Sequence, residues 1–354
     1  MRVKLPVAAA FFLLTAGAIA WGVLTDAREA RLQTFLTSIE AAEETIPYVG
    51  TRLVGGVDTV KLRIWSRDGR KRVEFLGMEG QARPRPASRL PLVGSVPVFL
   101  RPGHEQWKRK VKDSSLAVRN YEVRILGREV VAGRECDIVD VRSRHEGRPS
   151  YRVAVDVANR FPLRYEVFSR EQRVFETHFA EIQYHPVFPV GSFQEKQRPN
   201  WLNVSQEEVA AERMTEAAGF SVLRPSHLPR GFELRGSELL RVKAELSKEL
   251  RETIKPFLPF PMPKLDATVA HFTYTDGLAA VAVVECSASS ELWQHLKKLL
   301  PPATAVPSGK VAARKFSDRG GSAYLLETEG TVVLVAGNVD SEEIESMIRT
   351  LERR

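Results

Sequence analysis

The chain has 354 residues, 43% of them hydrophobic and 27% charged, with a formal net charge of +8. That length allows two domains and an ample core, and the balance is that of a folded globular protein, which excludes an intrinsically disordered chain. The two cysteines, Cys136 and Cys286, exclude a CxxC redox motif and zinc-finger spacing. They read first as two separate buried thiols, Cys being among the most buried residue types; the alternative is one disulfide, which would have to join two domains.

In chain order, Met1 to Lys4 is basic and Leu5 to Leu24 is uncharged and mostly apolar. Two outcomes fit residues 1–24. Ala18-Ile19-Ala20 is an A-x-A cleavage site for a signal peptide, and residues 5–24 are also long enough for an uncleaved membrane anchor. Either way the rest of the chain is expected to be exported. Leu32, Phe35, Leu36 and Ile39 form an amphipathic helical stripe within Asp26 to Thr45. Strands follow at Tyr48 to Val54, Val60 to Trp65 and Arg72 to Leu76, with a hairpin turn at Arg67-Asp68-Gly69-Arg70. Gln81 to Pro102, rich in Pro and Arg, reads as a long loop.

The segment from Asn120 to Tyr184 is the most regular of all. Tyr121, Val123 and Ile125 alternate with Glu122 and Arg124, while Tyr151, Val153, Val155 and Val157 alternate with Arg152 and Asp156. Leu163, Tyr165 and Val167 repeat the pattern. A period of two between short turns predicts an antiparallel sheet with one buried and one wet face. Residues 26–190 therefore form a first domain and 191–204 a linker. A second, α+β domain over 205–354 is expected to open on a helix, because Ser205-Gln206-Glu207-Glu208 matches a capping box and Gly219 a C-terminal cap. A charged helix is predicted from Leu239 to Ile254, then a proline-rich loop over 255–263, and strands at Ala267 to Thr273 and Ala279 to Glu285. Ser290 to Leu300 reads as helical. Strands at Ala312 to Phe316, Ser322 to Glu327 and Thr331 to Gly337 precede a last helix starting at Asp340 or Ser341.

Charge is unevenly placed, with 15 Lys and Arg against 5 Asp and Glu between Lys61 and Arg119. This is either a solvated sheet face or a surface for anionic partners, for which Arg101, Lys108, Arg109 and Lys110 are the candidates. Nucleic acid is not expected as a partner of an exported chain. Chemistry-bearing motifs are lacking. The seven histidines show no HxxxH or HExxH spacing, and GxSxG, GxxxxGK[ST] and GxGxxG are missing. Asp137 and Asp140, three apart on one strand, point to opposite faces. No enzyme activity, metal or cofactor is expected. Phe257, Leu258, Phe260 and Met262 are either packed on their own domain or an exposed apolar lip.

Several short runs carry a family likeness. Gly127 to Cys136 (GREVVAGREC), Val155-Asp156 and Phe161 to Glu166 (FPLRYE) resemble the MucB/RseB family of periplasmic regulators of the sigma-E envelope-stress pathway. Gly219-Phe220, Leu228 to Phe232 (LPRGF) and Phe272 to Val281 (FTYTDGLAAV) follow in the right order. The resemblance implies a first domain similar to LolA/LolB-type lipoprotein carriers: a curved antiparallel sheet, or half-barrel, wrapped around helices over an apolar concavity. Val60, Leu62 and Ile64, or Tyr151, Val153 and Val155, would face inward, and Trp65, Phe75, Leu76 and Met78 are candidates to line a ligand site. It further implies a regulatory binding protein whose partner is the periplasmic part of a membrane-spanning anti-sigma factor, with lipopolysaccharide or another acylated lipid as signal. A carrier of lipoprotein or lipid cargo in the same concavity is the alternative, and a structural envelope module is the third.

Overall fold

The computed structural model describes residues 30, 33–55, 59–79, 113–193, 202–244, 265–291, 293–294, 297, 304–308, 311–318 and 321–353. The apolar N-terminal segment, the Arg/Pro-rich loop, Arg101, Lys108, Arg109, Lys110 and the proline-rich loop lie outside them. Among the described residues no helix is long and apolar enough to cross a membrane.

Eight strands form the first sheet: β1 (Tyr48–Gly55), β2 (Thr59–Arg67), β3 (Arg70–Glu79), β4 (Tyr121–Val131), β5 (Arg134–Ser143), β6 (Ser150–Asp156), β7 (Pro162–Ser169) and β8 (Gln172–Tyr184). Their order is β3-β2-β1-β8-β7-β6-β5-β4 and every pairing is antiparallel, so among the described residues β3 and β4 are its two edges. The hairpin turns are set locally. Asp68 and Gly69 both have positive φ, as do Ala132 and Gly133, the turn geometry that matches the twist of paired strands. Two bulges mirror each other at the edges: Leu76 is unpaired between Phe75 and Gly77, and Leu126 between Ile125 and Gly127. The same pattern, Val-X-Phe/Ile-Leu-Gly, surrounds both.

Register carries one face across all eight strands. Phe75 lies opposite Leu62, Leu62 opposite Arg52, and Arg52 opposite Phe179. Thr177, two residues from Phe179, lies opposite Tyr165, Tyr165 opposite Val153, Val153 opposite Val139, and Val139 opposite Ile125. Helix α1 (residues 33–45) covers this inner face, with Phe35 and Ile39 against the Tyr121–Tyr151 cluster and Ala42 in a second cluster with Tyr48, Ile64 and Phe179. A short helix, α2 (Ser114–Asn120), leads into β4; the Asp113 carboxylate caps it by accepting from the Ser115 and Leu116 amides.

The second eight-stranded sheet contains β9 (Leu202–Glu208), β11 (Glu233–Ala244), β12 (Leu265–Thr275), β13 (Ala280–Ser287), β14 (Thr304–Ser308), β15 (Val311–Asp318), β16 (Gly321–Thr328) and β17 (Thr331–Gly337), in the order β14-β15-β16-β17-β13-β12-β11-β9. Leu239, Phe272, Val283 and Val335 pack one face against Met214 of α3 (Met214–Ala218) and Ile344, Met347 and Ile348 of α4 (Ser341–Arg349). Leu240, Val284, Cys286 and Val332 pack the other face beside Trp293. A small pair, β10 (Leu223–Pro225) with β18 (Leu351–Arg353), ties the C-terminus back to this half. The expected α+β class, a curved antiparallel sheet with helices plus an α+β second half, holds, and the sheets are open.

Two helix expectations are corrected. The capping-box residues Ser205 to Glu208 are strand β9, because they find a cross-strand partner in Arg241 to Glu238 of β11. Leu239 and Leu240, expected on a helix, are consecutive buried residues of β11 facing opposite sides. A strand covered on both faces lacks the alternation that distinguishes it from a buried helix. Gly219 does cap a helix, in the left-handed conformation at φ 75°, but that helix is only five residues long. Cys136 and Cys286 are separate buried thiols, as expected.

Candidate functional site: the inner face and the joint between the sheets

The inner face is an aromatic and aliphatic floor. Tyr48, Phe161 and Phe179 meet edge to face at 4.9–5.9 Å, and Tyr121, Tyr151 and Tyr165 form a second row with ring centroids 6.1 and 5.6 Å apart. Burial above all raises the tyrosine pKa values, Tyr121 further through the neighbouring Asp276 carboxylate and Tyr151 through Tyr121. These phenols therefore stay protonated, and the Tyr121 hydroxyl donates to Asp276 while that of Tyr151 accepts from Asn338 Nδ2. At both rims of the same face, apolar side chains lie open to solvent: Val73 and Phe75 are 56% and 61% exposed at the β3 edge, and Ile125 is 62% exposed at the β4 edge.

The outer face is chemically opposite. Arg164 pairs with Glu129 at 2.5 Å and lies 3.7 Å from Glu166, Arg173 bridges Glu166 and Glu176, and Arg152 and Arg142 flank Asp140. Arg63 holds Glu181, which also accepts from Thr51; those two donors hold the Glu181 carboxyl below its usual pKa. Such a face has affinity for water, and it leaves the inner face as the surface suited to apolar ligands.

The ligand candidates divide between these faces. Phe75 and the Met78 position of β3 continue the inner-face row, opposite Leu62 and Val60. Trp65 sits one residue off that row, on the outer side, under the Arg72 guanidinium at 4.8 Å. Leu76 is the bulge residue at the edge. The four are thus not brought together in one site, because period two sends odd and even positions of β2 to opposite faces. The anionic-surface candidates Arg101, Lys108, Arg109 and Lys110 fall outside the described residues. Asp137 and Asp140 each serve their own arginines, Asp137 those at 128 and 160 and Asp140 those at 142 and 152.

Sequence reading missed a polar joint between the sheets. Asp276, in the β12–β13 turn, is wholly buried with Arg148, whose Nη1 donates to its Oδ2 at 3.2 Å. The Tyr121 hydroxyl lies 3.1 and 3.0 Å from the two Asp276 oxygens, and the Leu278 and Ala279 amides donate to Oδ1. Asn120 Nδ2 reaches the carbonyls of Asp276 and Gly231, while its Oδ1 meets His145 Nε2 at 2.9 Å. Burial chiefly, then the charge of Arg148, lowers the His145 pKa, which keeps the ring neutral. Arg148 also donates to the Arg230 carbonyl and lies over the Phe232 ring at 4.4 Å. Two glycines make the approach possible. Gly231 at φ 83° and Gly277 at φ 106° would place a Cβ 2.1 Å from Asn120 Oδ1 and 2.3 Å from the Ala117 amide nitrogen. Gly231 and Gly277 belong to the LPRGF and TDGL runs noted in the sequence. Those runs were the available signal, yet nothing in them indicates that their partner is Arg148.

Among the described residues no group of His, Cys, Asp and Glu is arranged to hold a metal. A scan against family models matches residues 95–202 to the MucB/RseB N-terminal domain. Comparison with curated proteins gives no match. Among solved structures, the complex of Pseudomonas aeruginosa MucA and MucB is similar over 92% of this chain and 99% of that one, at 19% identity and a TM-score of 0.55. A crystal structure of MucB in complex with MucA(peri) is similar over 91% and 99%, at 16% identity and a TM-score of 0.52. At these identities the likeness is one of fold. The domain match and the fold together bear out the resemblance read from the motifs, to the MucB/RseB family.

Proposed function

We propose that this chain is an exported, non-enzymatic regulatory binding protein that engages the periplasmic part of an anti-sigma factor. The observation that carries the reading is the MucB/RseB domain match over residues 95–202, which spans the strands building most of the inner face. The fold shared with a MucA/MucB complex supports the same partner class. On this reading the chain divides at about 191–204 into a ligand-facing half and a second half, and works in the periplasm, either released by cleavage or anchored by residues 5–24. Affinity capture from a detergent-solubilised envelope should recover a membrane-spanning anti-sigma protein, and deletion should change envelope-stress transcription. Failure of both would overturn the reading.

The finer part of the proposal is that the inner face senses an acyl chain, from lipopolysaccharide or another lipid. The exposed Val73, Phe75 and Ile125 at its rims support it, because exposed apolar groups bordering a covered floor are the mark of an apolar ligand site. The same rims favour one other reading, a carrier of lipoprotein or lipid cargo. Solvent extraction and mass spectrometry of the purified chain separate the two: stoichiometric acylated cargo supports the carrier, whereas lipid that binds only when added and alters partner capture supports the sensor. The basic stretch around Arg101 and Lys108 to Lys110 should add salt-sensitive binding to anionic liposomes, weakening as ionic strength shortens the ~8–10 Å screening length.

A further inference from the structure

Leu278 belongs by sequence to the second sheet, in the turn between β12 and β13, yet it packs against the first sheet's inner-face cluster of Tyr121, Val139, Val141, Tyr151 and Val155, as do Phe35 and Ile39 of α1. The turn is held there from both ends. Its own Thr275 hydroxyl accepts from the Gly277 amide and donates to the Ala279 carbonyl, and Asp276 accepts from the Leu278 and Ala279 amides. Across the joint, Tyr121, Arg148 and Asn120 hold Asp276, and Asp113 donates its amide to the Gly277 carbonyl. A second inner-face phenol, Tyr151, lies 3.4 Å from Asn338 Nδ2, in the loop after β17.

We propose that the 275–279 turn is an internal plug, with Leu278 filling one end of the inner face, so that an apolar occupant and the joint between the sheets compete for the same floor. This rests on the ligand-sensing half of the proposed function and supplies its mechanism. An acyl chain entering the Tyr121–Tyr151 end from the side of the turn must displace Leu278, the cover there besides Phe35 and Ile39 of α1. The turn cannot yield Leu278 alone, because Asp276 binds the two amides that follow and the Tyr121 ring is itself part of the floor. Occupancy would therefore release Asp276 from Tyr121 and Arg148 and free the two sheets to move relative to one another. A turn of the chain thus holds the place that the ligand would take, and the two exclude one another.

The test uses the full chain and N-phenyl-1-naphthylamine, an apolar fluorophore, as the probe. Leu278→Ala removes the plugging side chain, so its affinity for the probe should rise on the order of tenfold, the plugged fraction no longer reducing the apparent affinity. Tyr121→Phe keeps the ring in the floor and removes only a hydroxyl, so it stays folded and should give a smaller rise of about threefold. In the wild-type chain, saturating probe should speed hydrogen exchange at the Gly277, Leu278 and Ala279 amides. If the wild-type chain binds the probe while both variants bind it equally well and the three amides exchange at unchanged rates, the plug is wrong and the ligand reading stands. Binding in no chain would overturn the plug and the lipid-sensing half together, leaving the partner reading to its own capture experiment.

Discussion

In β13 every residue from Ala280 to Cys286 is buried, whereas β4 runs from a buried Tyr121 to five successive exposed residues, Arg124 to Arg128. The second sheet is covered on both faces; the first is covered on one, ion-paired on the other, and open at its rims. A sheet buried on both sides has neither face free for a ligand, so it serves as a frame. A one-sided sheet whose apolar floor reaches the rim has a surface to offer. The joint at Arg148 and Asp276 connects frame to floor, and the contrast between them can be broken or sharpened by substitution.

The largest effect is expected at the joint. Arg148→Met leaves the Asp276 carboxylate buried without its cation, and breaking such a pair should cost about 3–5 kcal/mol in urea unfolding. A loss below ~1 kcal/mol would mean that the sheets do not depend on each other there. Next comes the frame itself. Glu285 is buried, its Oε2 accepts the Leu223 amide, and burial pushes its pKa from 4.5 up to about 8. The folded chain thus keeps a proton that the unfolded chain releases near 4.5. The stability this contributes is complete below about 4.5 and is lost as the pH rises through about 8, with a limiting slope of ~1.4 kcal/mol per pH unit. Glu285→Gln should flatten that decline, and parallel wild-type and variant curves between pH 5 and 8 would refute the assignment.

Smaller effects belong to the first sheet. Glu166→Gln removes one partner of Arg164 and Arg173 on the outer face and should cost roughly 1 kcal/mol, falling with added salt. Phe75→Ser, at an exposed rim, should change stability by no more than ~0.5 kcal/mol. It should nevertheless weaken binding of an apolar fluorophore severalfold, and equal binding would place the ligand floor elsewhere.

Local rules carried most of the first sheet. The alternation of Tyr151, Val153 and Val155 and the turn residues Asp68-Gly69 and Ala132-Gly133 set strands and hairpins within a few residues of each other, where a single sequence is informative. The second half was harder to read because its strands are covered on both sides. Leu239-Leu240 shows no period, and Ser205 to Glu208 carries a helix-start pattern that long-range pairing with β11 overrides. The same distance hid the joint: 128 residues separate Arg148 from Asp276, and neither has a local signature. The inner face was legible as a face, but Trp65 shows the limit, since a one-residue offset moved it to the outer side.

The mirrored bulges at Leu76 and Leu126 bear on the protein's behaviour in company. A sheet whose two edges are unpaired among the described residues and whose rims are apolar offers any neighbouring chain a template for strand addition, the first step toward polymers. An unpaired residue in each edge breaks the regular spacing of backbone donors and acceptors and bends the strand, so a second copy finds no straight ladder to extend. Gly77 and Gly127, immediately after the bulges, have φ of 150° and 154°. The chain can thus leave Phe75 and Ile125 exposed at its rims while denying its own copies a matching edge.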